Sequence, residues 1–463
     1  MKHISHLTLL IALVFTTSSL RAQNEPINID SLKAEIKQEL KQEILNDVKA
    51  EVEIKQDKKF NIKPYGFIRN FVCYDSRQNL YAMGDTFNIM PLDELLNEDG
   101  SADLNGNSEL TFVAFTTRLG LDIAGPQIGK AASMAKIEAD FCGYGTNNTM
   151  LRLRQAYIKL AWKRVSVTMG QTWHPMVIQN LPTVVGFSPG VPMGAFNRTP
   201  QLNVDVNLGK GWNFLAAAMY QHPNTSVGPN GATYDYSRWS KIPELYASIK
   251  HSGEKFMVGA GVDFLSIMPR KTSTITKQVT STSLDGQVTI ITTKSVNVNV
   301  NDRVTGVSPE VFANYKSGKF DLKWKFIYGQ NLAHLTMISG YGATSYNPDN
   351  GSYEYAPIRT ATTWLNATYG KKVQVGIFGG FAQNLGAKED FISLDEFWVR
   401  GAKNTDYIYR VAPFVSYNAG PLQLALEIDY TAVGYGDLAL NGHSKALREV
   451  GNLRTCLMVK YTF

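Results

Sequence analysis

Long hydrophobic runs are what this 463-residue chain most conspicuously lacks. A membrane-spanning helix needs about 20 consecutive apolar residues. The one apolar run, residues 7–15 (LTLLIALVF), is far shorter and lies at the start of the chain. Cysteine is scarce: three residues, Cys73, Cys142 and Cys456, exclude a scaffold built on disulfides. Charge of one sign is not in excess. The 46 Lys and Arg against 40 Asp and Glu give +6, and removing Lys2 and Arg21 with the leader leaves +4. With no basic cluster interleaved with aromatics, nucleic acid is excluded as a partner. Of the seven histidines, those beyond the leader (His174, His222, His251, His334 and His443) are dispersed and lack HxxxH spacing, so neither a zinc site nor another cofactor is expected. No nucleophile-and-base signature stands out, so the chain does not read as an enzyme. A disordered chain is excluded by what is plentiful, 44% hydrophobic residues and 11% aromatics.

Residues 1–22 carry a secretory signal: Lys2, the apolar core 7–15, and Leu20-Arg21-Ala22 ahead of the cleavage point. No cysteine follows that point, so no lipid anchor is expected there. Residues 23–59 are rich in Glu, Lys and Gln, with apolar residues at Ile29, Leu32, Ile36, Leu40, Ile44, Leu45, Val48 and Val52. The steps 29–32–36 and 45–48–52 are heptad-like, and so narrow a stripe is buried only by self-association. A short α-helical coiled coil in the periplasm is expected, with a solvated single-helix spacer as the alternative.

From residue 60 the pattern changes to alternation with period two. Residues 422–430 put Leu422, Leu424, Leu426, Ile428 and Tyr430 on one face, and Gln423, Ala425, Glu427 and Asp429 on the other. Residues 453–463 and 321–328 do the same. Sixteen such segments, about ten residues or longer, are joined by tight Gly/Lys-rich turns alternating with long polar loops near 75–107, 144–150, 174–200, 222–242, 269–305, 331–358, 384–405 and 434–450. An even number of long antiparallel strands with short turns at one end and long loops at the other predicts a sixteen-stranded transmembrane β-barrel over 60–463. Sandwiches and propellers alternate too, but with strands nearer five or six residues. A lumen this wide is not expected to be filled by side chains, and a plugged active transporter would need far more than the 36 residues before the barrel.

Two features make the pattern specific. Phe463 ends a strand with apolar or aromatic residues at alternate positions, which resembles the C-terminal strand of bacterial outer-membrane proteins. Arg152-Leu153-Arg154-Gln155-Ala156-Tyr157, a tight turn, and Met169-Gly170-Gln171-Thr172-Trp173 resemble a strand pair of the DcaP-like porins; Lys63-Pro64-Tyr65-Gly66-Phe67-Ile68-Arg69 resembles porin first strands. The resemblance implies a homotrimer in the bacterial outer membrane, its helix in the periplasm, passing small hydrophilic, anionic or zwitterionic solutes. The phosphate-selective porins share this architecture and are the second choice. A non-conducting surface or anchoring protein, binding partners through long loops such as 269–305, is the alternative function. That loop, with its Val-Asn-Val-Asn alternation, is also a candidate exposed hairpin.

In a channel the working parts are a constriction and a field. Strand parity points Arg69, Arg118, Lys136, Arg410 and Arg454 into the lumen, and Arg198 is the one fully charged residue of the proline-rich loop 174–200. These six are the candidate pore-lining residues. Loop 174–200 is either a constriction folded into the lumen or an apolar loop packed between subunits. Arg152 and Arg154 have lipid-facing parity, so either a bulge near Gln155 turns them inward or they face a subunit interface. The three cysteines are expected to be free.

Overall fold

The computed structural model describes residues 60–82, 87–143, 150–186, 190–282 and 289–463. The expected signal segment and coiled coil lie outside the described residues.

The barrel wall is one antiparallel sheet closed on itself. Its strands are β1 (Asn61–Asp75), β2 (Glu109–Val113 and Arg118–Ala124), β3 (Ala132–Asp140), β4 (Arg152–Ala161), β5 (Val165–Trp173), β6 (Arg198–Gly209), β7 (Trp212–Met219) and β8 (Glu244–Ser252). The second half comprises β9 (Phe256–Ile267), β10 (Val304–Ser317), β11 (Phe320–Gln330), β12 (Arg359–Gly370), β13 (Val373–Asn384), β14 (Thr405–Ala419), β15 (Leu422–Leu438) and β16 (Ser444–Thr462). Each pairs with its chain neighbours, and β1 pairs with both β2 and β16, so no edge is left open. Closure is what a membrane demands of a sheet, because hydrocarbon offers no partner to an unpaired backbone N–H or C=O.

The expected segments match these strands one for one, with two differences. β2 is interrupted at residues 114–117, where Thr116 tucks inward and accepts from Arg69 Nε at 3.2 Å. The expected loop 434–450 is mostly strand: β15 and β16 stay paired from Leu438–Ser444 onward, and only 439–443 turn. Its polar residues lie on a ladder that continues beyond the apolar belt. The hairpin expected within 269–305 is present, Thr272–Thr282 pairing with Thr289–Asn299 in a sheet of its own.

The two faces sort as the alternation requires. Leu424, Leu426, Ile428 and Tyr430 of β15 are exposed outward, whereas Ala425, Glu427 and Asp429 are buried inward. On β16, Leu453, Leu457, Val459 and Tyr461 face out and Arg454, Cys456 and Met458 face in.

At the closing seam Cys73 of β1 and Cys456 of β16 are directly opposed and joined by a disulfide, Cα–Cα 4.2 Å. This corrects the expectation of free cysteines, which holds only for Cys142. Adjacent strands usually hold opposed residues too far apart or badly angled, but the closely spaced, non-hydrogen-bonded kind of antiparallel pair brings two inward Cβ atoms near enough. Phe463 completes the seam: its N–H donates to Gly66 O at 3.0 Å, and its carbonyl accepts from Gly66 N at 3.0 Å. The Phe463 ring covers Gly66, where a Cβ would collide with it.

The lumen is less empty than expected. The short hairpin formed by Asn79–Ala82 and Phe87–Pro91, the loop 174–197 and residues 331–343 all fold inward. Phe87, Met90, Val191, Met193 and Phe196 pack on the inward wall residues Trp364, Phe378, Ile408 and Val433. Wall side chains alone cannot fill so wide a barrel; apolar loop segments do part of it instead.

Candidate solute pathway

The described parts of loop 174–197, residues 174–186 and 190–197, fold into the lumen rather than between subunits, and the wall holds them by donor and acceptor groups. His174 starts it, its Nδ1 accepting from Met176 N at 3.2 Å and capping the single turn Pro175–Ile178. Lys325 of β11 donates to Met176 O, and Lys323 donates to Leu181 O at 3.1 Å. Asn366 of β12 accepts from Thr183 N at 2.8 Å. On β15 the Glu427 carboxylate accepts from Val185 N at 2.7 Å and Gly186 N at 2.8 Å. A Cβ at Gly186 would come within 2.5 Å of Glu427 Oε1, so the carboxylate would have to shift to admit one. Arg410 of β14 donates to Val191 O at 2.7 Å. Starting from β5 and returning to β6, the loop thus reaches strands on the opposite wall.

Under the loop lies a cavity of about 390 Å³. Arg69, Arg118, Arg154 and Lys460 line one side, the loop residues 181–186 another, and Gln374, Ser416 and Gln423 a third. No carboxylate lines it among the described residues. Phe67 organises the cations, with the Arg69 and Arg118 guanidinia over its ring at 5.0 and 4.9 Å and Lys460 at 5.9 Å. The negative charges stand behind the arginines. Glu138 accepts from Arg154 Nε at 2.8 Å and lies 3.5 Å from Arg118 Nη1. Asp140 is held by Arg152 at 2.7 Å and Arg154 at 2.6 Å. A second cavity, about 230 Å³, is lined by residues of both signs, including Lys159, Asp205 and Lys250.

The six expected pore-lining residues all point inward but do not form one group. Arg69 and Arg118 share the larger cavity. Arg198 is buried nearby over the Trp173 ring at 4.7 Å, with Nε and Nη1 lacking a hydrogen-bond partner. Lys136 lies apart, bound to Asp122 at 2.8 Å and to the Tyr65 hydroxyl at 3.0 Å. Arg410 and Arg454 are paired with Asp429 at 3.1 Å and Asp75 at 3.2 Å. Arg154 and Lys460 belong to the cavity and were absent from the expected group. Arg152 and Arg154 face inward because β4 carries a bulge opposite Glu138–Ala139. The broken alternation between Leu153 and Tyr157 was its signal in the sequence.

Comparison with known proteins agrees with this architecture. A family model described as DcaP outer membrane protein matches residues 23–210. The outer membrane channel DcaP of Acinetobacter baumannii superposes with a TM-score of 0.60 at 20% identity, covering 87% of this chain and 97% of that one. A loop L8 deletion mutant of OmpT from Vibrio cholerae gives 0.50 at 11% identity, covering 88% and 100%. The anion-selective porin from Comamonas acidovorans gives 0.50 at 10%, covering 87% and 100%. Identities this low speak for the fold. No curated protein matches the chain.

Proposed function

From the premise that this chain is a DcaP-like outer-membrane porin, we propose that it passes small anionic solutes by diffusion through a constriction formed by loop 174–197 and the basic wall facing it. The observation that carries this reading is the cavity under the loop, lined by Arg69, Arg118, Arg154 and Lys460 without a carboxylate. Guanidinium stays charged at any relevant pH and offers a planar fork to carboxylate or phosphate. In a narrow channel its field is screened less than at an open surface. Glu138 and Asp140 offset part of this charge from behind, which makes the preference moderate. The exposed apolar belt of the wall suits lipid contact and packing of three barrels side by side.

The test is reversal potential under a salt gradient in planar bilayers. Wild type is expected to prefer anions, and preference for cations defeats the proposal. The non-conducting surface protein remains a second reading because apolar loop segments pack into the lumen; absence of any conductance from folded protein would favour it.

A further inference from the structure

The lumen holds two chambers at the level of the inward loop. Among the described residues, Trp173 alone lines both the basic cavity and the second one of about 230 Å³. Its ring is held in place by the Arg198 guanidinium over it at 4.7 Å and by Phe196 edge-on at 5.3 Å. Loop residues 181–186 face the basic chamber, and Pro175, Ile178 and Gln179 face the other. Where the two stretches meet, the loop is tied to the wall. Gln179 Nε2 donates to Ser248 Oγ at 3.1 Å, and Asn180 Nδ2 donates to Ala313 O at 2.9 Å and Trp324 O at 3.0 Å.

The second chamber has a different chemistry. Its charged residues are Lys159 on β4, Asp205 on β6 and Lys250 on β8, each two strands from the next. Two strand spacings are about 10 Å, and among the described residues none of the three is in an ion pair. Lys136, Arg410 and Arg454 differ, each having a carboxylate within 3.2 Å. Asp205 Oδ1 accepts from Asn213 Nδ2 at 2.7 Å, and Lys250 Nζ donates to Gln179 Oε1 at 3.2 Å. The Lys159 ammonium has no hydrogen-bond partner among the described residues. On the intervening β5, Thr168 stands opposite Lys159 and Ser166 opposite Asp205, and their hydroxyls are likewise without a described partner. Gln201 and Asn203 add amides to the same lining.

The register of the wall keeps these opposite charges apart. An anion entering here meets Asp205, and a cation meets two ammonium groups; unpaired charge of this kind rejects as well as attracts. A solute carrying both charges on one frame satisfies both sides at once, and the hydroxyls and amides between them hydrogen-bond its remainder. We propose that the second chamber is a binding site for a small zwitterion, a free α-amino acid, with its carboxylate on Lys159 and its ammonium on Asp205. Lys250 positions Gln179, the loop residue beside it. The volume lies below the about 300–1,000 Å³ of sites for drug-sized ligands, which suits so small a solute. This assignment rests on the channel reading but not on its anion preference.

The experiment places the full chain in lipid vesicles and follows tracer uptake of three solutes of like size at neutral pH: alanine, lactate and glycerol. At tracer concentrations the site is mostly empty, and binding weak enough to release the solute raises its flux. Alanine should enter wild-type vesicles at least about threefold faster than glycerol. The double variant Lys159→Gln with Asp205→Asn removes one charge of each sign and leaves the net charge of the lumen unchanged. Its alanine rate should fall to its glycerol rate, while lactate uptake and reversal potential stay near the wild-type values. Glycerol uptake reports folded, open channels; should the double variant show none, Asp205→Asn alone carries the same expectation for alanine. Equal alanine and glycerol rates in wild type overturn the proposal and mean that the three charges serve only to keep the lumen wet. A variant that keeps the alanine advantage, or slows all three solutes alike, also overturns it. Folded wild type that passes no glycerol defeats the channel reading itself, and this site with it.

Discussion

Arg69 of β1 and Arg454 of β16 lie on strands joined at the seam and both point inward, yet their surroundings differ. Arg454 is 3.2 Å from Asp75, whereas Arg69 lies with Arg118 over Phe67 on a cavity that no described carboxylate lines. Arg69 and Arg118 line the cavity and Arg454 does not, so Arg69→Ala and Arg118→Ala should each move the reversal potential toward zero, and Arg454→Ala should move it much less. Equal shifts from all three would mean that lining the cavity does not set a residue's share of the field. Glu427 gives a sharper case, since it both contributes negative charge to the lumen and holds two loop N–H groups. Glu427→Gln should strengthen anion preference and also loosen the loop, a charged acceptor contributing about 1.5–3 kcal/mol per bond to such a contact. Noisier open-channel current together with a larger reversal potential is the expected record. At this scale alternation revealed which way side chains point, but not what they meet. Asp75 and Arg454 are 379 residues apart in the chain, and only barrel closure makes them neighbours.

Single elements were more legible, because a strand's two faces are written in consecutive residues. All sixteen wall strands follow from alternation and turn chemistry, and the bulge in β4 was one of the two readings its broken alternation offered; the break in β2 was not legible, because it depends on what the neighbouring strand presents. The inward path of loop 174–197 was readable only as one of two options, since proline and apolar content say that a loop is covered without saying by what. Two predictions belong here. Leu426, outward on β15, faces the lipid belt; Leu426→Arg should cost about 2–4 kcal/mol near the bilayer midplane, measured by urea titration of barrels folded in vesicles. Among the described residues, Thr272–Thr282 and Thr289–Asn299 pair with each other and with no wall strand. Removing residues 271–300 should leave the wall intact, with heat-modifiable mobility and channel conductance retained; loss of folding would show that the hairpin supports the barrel.

For the whole molecule, assembly is governed by how the sheet closes. Phe463 bonds to Gly66 in both directions and covers it, so deleting Phe463 or replacing it with a charged residue should impair outer-membrane assembly without blocking export. Normal assembly of that variant would count against the seam as the controlling step. The expected coiled coil over 23–59 bears on oligomers rather than on closure, because every wall strand lies within 61–462. A chain lacking residues 24–58 should still form barrels, and its trimers should dissociate at lower temperature in detergent gels. Equal heat resistance would assign trimer stability to barrel packing alone.

With Cys73 bonded to Cys456, 383 positions further along the chain, nearly the whole wall becomes a covalent macrocycle closed by one sulfur–sulfur link. A fully extended chain of that length would span about 1,300 Å at 3.3–3.6 Å per residue, and under tension between its ends all of it stays hidden. Pulling the C-terminus can peel away only the few residues beyond Cys456 before the load passes to the ring. In force spectroscopy the oxidised protein should therefore yield a short extension and then hold, whereas after treatment with a thiol reductant the same pull should release the wall hairpin by hairpin.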